Sequence, residues 1–387
     1  MENPLNILVF SPFYPPHIGG LESHAYEFNK HIAKHNIHIS VFTPKLPLNT
    51  MEEEHQSENI SIYRFPAFEI IHNYPVPKLW SPTLWKLLKK SITSQPNIVI
   101  SRTRFFSTSI FAYFFAKIQK IPLIHIEHGS DYVHFNSQLK TLLGACYDRI
   151  FGRFILRHAN TVIANSKASA AFVRKLSGRT AAIIYRGVEI SAILSCETAN
   201  HSTLPKSNAC TIGFVGRLID GKGVNLLLEA ISNIKGRNFC CLIIGDGPER
   251  HRLESFAQKN LLSQYIHFLG HKDHSEAIAI IKSCDIIVNP SFTEGLPTSI
   301  IEAALCKKAI VATNVGGTSE IITGNDDGFL VPPGSIEAIQ EKLEYLIDHP
   351  NVRTRFGNHA FLSTQSVFDW ETSVKKYQKI FQMVLKK

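Results

Sequence analysis

Two rounds of one alternation, a short apolar run and then a stretch of helical spacing, constrain this chain more than any other feature. In the first round the runs are Asn6–Ser11, Ile37–Phe42, Asn97–Ile100, Pro122–Ile126 and Thr161–Ala164, with Leu21–Lys34 among the helical stretches between them. Strands separated by helices predict parallel sheets with crossover connections. From Glu189 to Ala209 the pattern lapses into Ser, Thr, Asn, His and Pro. It restarts with strands at Cys210–Val215, Phe239–Ile244, Ile266–Leu269, Asp285–Val288 and Ala309–Ala312, and a helix at Val224–Ile234. At 387 residues the chain is also long for one domain. The expected organisation is two doubly wound α/β domains, residues 1–190 and 210–367, facing a cleft, with a linker at 191–209 and a closing segment at 368–387. Ligands of open sheets bind beyond the carboxyl ends of the strands.

Composition narrows the setting. Hydrophobic residues make up 44%, enough for real cores, yet no run approaches the ~18 apolar residues of a membrane span. The first residues lack the basic start of a secretory signal, and Ile7–Phe10 is too short for its apolar part. Seven cysteines, with no C-x-x-C and an adjacent pair at Cys240 and Cys241, read as reduced thiols of a cytoplasmic protein. Residues 1–190 hold 21 lysines and arginines against 12 acids, and the remainder 20 against 20, so the whole +9 excess lies in the first half. Such asymmetry points to an anionic surface, whether membrane, nucleic acid or acidic substrate; a solubilising excess is the plain alternative. Lys78–Lys90 mixes two tryptophans, leucines and four lysines. It reads either as a membrane-surface helix or as a helix packing Trp85 and Leu88 inward with its lysines in water.

Four stretches carry candidate chemistry. Gly216-Arg-Leu-Ile-Asp-Gly-Lys-Gly223 follows a strand and precedes a helix, and nearly spells a phosphate-binding loop, but Gly223 replaces the hydroxyl that would hold magnesium. Arg217 and Lys222 can clamp a diphosphate by their own charge, or stand solvated on a glycine-rich turn. Ser291-Phe-Thr-Glu-Gly-Leu-Pro-Thr-Ser-Ile-Ile-Glu302 places Glu294 and Glu302 around Gly295, Leu296, Pro297 and Thr298. On a single helix the two carboxylates would stand roughly 12 Å and about 80° apart, too far to share a metal. Pro297 suits a first helical turn, so Glu294 belongs to the preceding loop and Glu302 to the second turn, bracketing an anion-friendly helix N-terminus. Gly245-Asp-Gly-Pro-Glu249 is a poor dinucleotide fingerprint because Arg250 stands where a third glycine should. His128 ends a strand beside Glu127 and Asp131, a cluster without the second histidine that a metal site would need.

Together these segments resemble the retaining, nucleotide-sugar-dependent glycosyltransferases of family 4, also called group 1, which have the GT-B fold of two Rossmann-like domains. The resemblance spans nearly the whole chain, through Phe13-Tyr-Pro-Pro-His-Ile-Gly-Gly20, Val162-Ile-Ala-Asn-Ser-Lys167, Val215-Gly-Arg-Leu218 with Lys222, Glu294 to Glu302, and Val311-Ala-Thr-Asn-Val-Gly-Gly317. It implies that Glu294 touches donor-sugar hydroxyls, Glu302 the ribose, and the intervening helix start the diphosphate. It further implies that Arg217 and Lys222 stabilise the leaving nucleoside diphosphate, that Gly216 lies at the same loop, that Gly19 and Gly20 approach it across the cleft, and that His128 contacts the sugar. The final residues would form a helix returning to the first domain. The chain departs from the family at Arg186 and Glu189, where Asn and Asp are usual.

The expected activity is transfer of a hexose from a nucleotide diphosphate sugar, UDP favoured over GDP, to a glycan or lipid-linked acceptor in cell-envelope polysaccharide or glycolipid synthesis. No metal or other cofactor is expected, since the cations and the helix dipole supply the charge. Partners would be the donor, the acceptor and an anionic membrane surface, with no nucleic acid. A same-fold sugar-nucleotide epimerase or phosphorylase is one rival, although no cofactor-lysine motif supports the latter. A non-catalytic nucleotide-binding protein is the other, and it gives no reason for Arg217, Lys222, Glu294 and Glu302 to occur together.

Overall fold

The computed structural model describes residues 4–71, 74–133, 137–199 and 209–386, except for the side chains at 70 and 71. The chain divides into two compact units, Met1–Arg186 with Trp370–Lys387, and Gly187–Asp369. Each is an α/β layer structure around a parallel sheet, so the GT-B expectation for the fold holds.

In the first unit the strands are Leu5–Phe10 (β1), Ile37–Pro44 (β2), Glu53–Ser57 (β3), Ile60–Phe65 (β4), Ala67–Ile71 (β5), Tyr74–Pro77 (β6), Ile98–Arg102 (β7), Leu123–Glu127 (β8), Thr161–Ala164 (β9) and Ala182–Ile183 (β10). Eight of them form one sheet in the order β10-β9-β8-β7-β1-β2-β4-β3, and β5 pairs with β6 in a separate ribbon. All ladders of the large sheet are parallel except β3 with β4. The central strands are apolar runs because both faces are covered: Ile7 to Phe10 are buried, as are Ile98 to Ile100. Strand order reverses between β1 and β7, which opens a crevice at their carboxyl ends.

The closing helix Trp370–Leu385 belongs to this unit. Its buried residues Trp370, Val374, Tyr377, Phe381 and Val384 recur at helical spacing and join Ile7, Val9 and Phe28 in one core. The Tyr377 ring meets Phe28 edge-on at 4.8 Å.

The second unit contains Cys210–Val215 (β11), Phe239–Ile244 (β12), Ile266–Gly270 (β13), Ile286–Asn289 (β14), Ala309–Thr313 (β15) and Phe329–Val331 (β16). Their order is β13-β12-β11-β14-β15-β16, all parallel, with the reversal between β11 and β14. Part of the expected linker differs from expectation. Ile190–Ser195 is a short helix that buries Ile193, while residues 200–208 lie outside the described residues.

Packing fits neither reading of Lys78–Lys90 whole: Leu88 faces inward as the second expects, but Trp85, which it also places inward, is half exposed. Helix Pro82–Ser91 buries Leu84, Leu87 and Leu88, Lys90 pairs with Glu53 at 2.5 Å, and Trp85 Nε1 donates to the Leu79 carbonyl. The helix leucines therefore serve the core, while Leu79, Trp80 and Trp85 keep apolar surface outside. Among the described residues no helix is long and apolar enough to cross a membrane.

Candidate functional site

The loops after β11 and β14 meet at the reversal of the second sheet, and two glycines make the approach feasible. At Gly223, with φ 63°, a Cβ would lie 2.2 Å from the Pro290 carbonyl oxygen. That contact explains why glycine stands where a phosphate-binding loop would carry a hydroxyl. At Gly245, with φ 139°, a Cβ would lie 1.9 Å from the Gly216 carbonyl oxygen. Gly245 thus serves close packing of two strand-to-helix turns and reads no dinucleotide. Phe292 N donates to the Gly221 carbonyl, tying the loop of residues 216–223 to the β14 exit.

This tie brings Lys222, on a short 3₁₀ turn, to Glu294. Lys222 Nζ lies 2.6 Å from Glu294 Oε1, and the same oxygen accepts from Ser291 Oγ at 2.7 Å and Asn289 Nδ2 at 3.4 Å. Glu294 stands in the loop as expected. Pro297 occupies the N-cap, one position before the helix Thr298–Leu305, where expectation had placed it in the first turn. Among the described residues no side chain caps that helix, which leaves the Thr298 and Ser299 amides without a cap, while buried Leu296 anchors the turn and Gly295 accepts from Gly317 N. Glu302 sits on the second turn, nearly buried, with Oε1 2.9 Å from His274 Nε2. Arg217 follows Gly216 at the end of β11 with its side chain exposed.

A lysine ammonium has three N–H donors. One goes to Glu294, in the loop that leads into the uncapped helix, which leaves two for a ligand, and Arg217 stands exposed on the same loop as Lys222. The arrangement suits a phosphate-bearing ligand whose hydroxyls meet carboxylates at either end.

In the first unit Gly19 and Gly20 open the helix Gly20–Ala33 at the carboxyl end of β1. A Cβ on Gly19 would lie 2.5 Å from Glu22 Oε2, whereas Gly20 borders open space. Glu22 is held by His17, 2.5 Å away, and Arg186 Nη1 donates to the Gly20 carbonyl at 3.1 Å. The family departure at Arg186 thus lies on the glycine loop itself.

His128 follows β8. Its ring packs against His24 at 4.7 Å, Asn165 Nδ2 lies 3.5 Å from its Nδ1, and its Nε2 is buried with no hydrogen-bond partner among the described residues. Burial, and after it the Arg102 cation, push the His128 pKa down to about 3. Burial likewise holds His24 neutral, and Arg102 Nη1 lies 2.9 Å from His24 Nδ1. The loop that presents His128 hangs on Glu127, whose Oε1 accepts from the amides of His128 and Gly129 and from Arg104 Nη1. With that oxygen so engaged, the Glu127, His128, Asp131 cluster is no metal cage. Arg104 Nη2 continues to Asp148 Oδ2 at 2.9 Å, completing a buried charged chain.

Sequence reasoning missed Asn289, Ser291, His274, Arg102 and Arg104. Asn289 and Ser291 flank Pro290 at a strand exit, which is a readable signal. Arg102 ends β7 and Arg104 follows it, where their burial could not be foreseen.

Comparison with known proteins adds two family matches. Residues 197–362 match the glycosyl transferases group 1 family, and residues 18–192 match glycosyltransferase family 4. An uncharacterized glycosyltransferase of Methanocaldococcus jannaschii is 36% identical over 390 residues, spanning 98% of this chain and 99% of that protein. A phosphatidylinositol N-acetylglucosaminyltransferase subunit of Arabidopsis thaliana is 23% identical, over 99% of this chain and 83% of its own length. Among solved structures, Anabaena HepE in complex with UDP superposes with a TM-score of 0.77 at 20% identity, covering 98% of this chain and 100% of that one.

Proposed function

The chain belongs to the group 1 glycosyltransferases of family 4, and on that premise we propose that it moves a hexose from a UDP-sugar to a glycan or lipid-linked acceptor with retention of anomeric configuration. The observation that carries the donor half is the meeting of Lys222 and Glu294 at the β11/β14 reversal, beside the uncapped start of the helix Thr298–Leu305. UDP is favoured over GDP because HepE, a structural relative, was solved with UDP bound.

In this reading Arg217, Lys222 and the amides after Pro297 take the diphosphate, with Gly216 lending close backbone approach. Glu302 accepts from the ribose hydroxyls and Glu294 from the sugar. Preorganised charge of this kind acts on the negative charge that develops on the leaving diphosphate. Metal is not required. In the first unit neutral His128 offers Nε2–H, since Asn165 faces Nδ1, a hydroxyl-binding donor that does not titrate near neutral pH. Synthesis of a cell-envelope polysaccharide or glycolipid, at a cytoplasmic membrane surface met by the basic first half, is the setting proposed.

Retention is tested by proton NMR of the product made from an α-linked UDP-hexose. An α-linked product supports the reading, and a β-linked product rejects it.

A further inference from the structure

The stretch Gln138–His158 runs as helix Gln138–Tyr147, π-turn Asp148–Gly152 and helix Arg153–His158. Leu139, Leu142, Leu143 and Cys146 fall on one arc of about 100° of the first helix, the width of a core-facing stripe, and Ile150 follows in the π-turn. Here the stripe faces outward. The four aliphatic residues are exposed for 57–66% of their surface and Phe151 for 43%. The inward positions are Gly144, Asp148 and Gly152, four residues apart and all buried. The amphipathicity is inverted, and what holds the segment is polar: Asp148 bonds Arg104, and a Cβ on Gly152 would lie 3.0 Å from Asp148 Oδ1.

Charge identifies the occupant of this face. Lys140, Arg149 and Arg153 are exposed around it, and the single acid of the segment, Asp148, is buried in its pair with Arg104. Aliphatic side chains interleaved with cations along one segment match acyl chains beneath acidic headgroups. A two-fold pairing with a second copy would set those cations against one another.

We propose that Leu139, Leu142, Leu143, Ile150 and Phe151, with Lys140, Arg149 and Arg153, dock this protein on an anionic phospholipid bilayer. The face lies on Gln138–Arg153; in Lys78–Lys90 the helix leucines are in the core, and only Leu79, Trp80 and Trp85 keep apolar surface. The chain Asp148–Arg104–Glu127 then joins the docking face to the loop of His128, so docking orients that loop to the bilayer. The inference rests on the glycosyl-transfer reading only in naming a membrane-borne lipid as the acceptor.

The test is co-sedimentation of the full chain with vesicles of phosphatidylglycerol and phosphatidylcholine, alongside the double variant Leu142→Glu, Leu143→Glu. Both positions are exposed, so the variant should keep its thermal midpoint. The wild type is expected to bind at low salt and to release as salt rises, and the variant to bind at least about tenfold more weakly. A wild type that stays in the supernatant overturns the proposal, as does a variant that binds equally well. A wild-type dimer dissolved by the variant, without vesicle binding, assigns the face to a second copy and overturns it too. Calorimetry with UDP runs in parallel: UDP binding without vesicle binding rejects the docking face alone, whereas failure of the wild type to bind UDP rejects the donor reading.

Discussion

Lys222 Nζ and Glu294 Oε1 lie 2.6 Å apart although 72 residues separate them in sequence. The pair closes the β11 loop onto the β14 exit. It holds the lysine charge on the loop that leads into the helix Thr298–Leu305.

Removing either cation tests the clamp. A hydrogen bond to a charged group contributes about 1.5–3 kcal/mol, so Lys222→Ala and Arg217→Ala should each slow transfer about tenfold or more. Glu294 keeps Ser291 and Asn289 as donors, so Lys222→Ala should leave the thermal midpoint within a few degrees. Steady-state kinetics beside thermal unfolding checks both, and wild-type turnover in both variants would remove the clamp.

The two glutamates should separate by ligand. Glu302→Gln is expected to weaken binding of free UDP about tenfold, while Glu294→Gln spares it and lowers turnover. Equal losses of UDP affinity in calorimetry would contradict the assignment.

Activity is expected to survive EDTA, because protein cations and helix amides supply the positive charge. Full loss on chelation, reversed by magnesium or manganese, would contradict this.

His128 should not titrate between pH 5 and 8. In the unfolded chain its ring takes a proton near 6.5, in the folded protein only near 3. The folded state therefore binds fewer protons in that window. Its contribution to stability is present above pH 6.5 and is lost as pH falls toward 3. A flat NMR shift of the ring C–H from pH 8 to 5 is expected, and a midpoint near 6.5 would show the ring to be solvated. His128→Asn should flatten the acid side of the stability profile.

Much of this was legible because parallel strands buried on both faces are short apolar runs, as in β11, β12 and β15. The meeting of Lys222 and Glu294 was legible because Arg217, Lys222, Glu294 and Glu302 occupy two compact motifs. Strand β3, Glu-Glu-His-Gln-Ser, was not, being an exposed edge strand with no apolar face to give it away. Nor was the chain Arg104, Glu127, Asp148, whose members lie 23 and 44 residues apart and meet only through three separate strand and helix ends. Helix Gln138–Tyr147 shows the limit most clearly: nothing in the stretch from His128 to Asp148 was readable, and the fold leaves its leucines outside.

The central claim is that this chain turns over a nucleotide-sugar donor at the β11/β14 reversal. The most direct measurement is nucleotide released from a panel of UDP- and GDP-hexoses in the presence of lipid extract as acceptor. The account predicts UDP release from at least one UDP-hexose by the wild type and a rate at least about tenfold lower in Lys222→Ala. No release from any donor, or equal release by the wild type and Lys222→Ala, would contradict it.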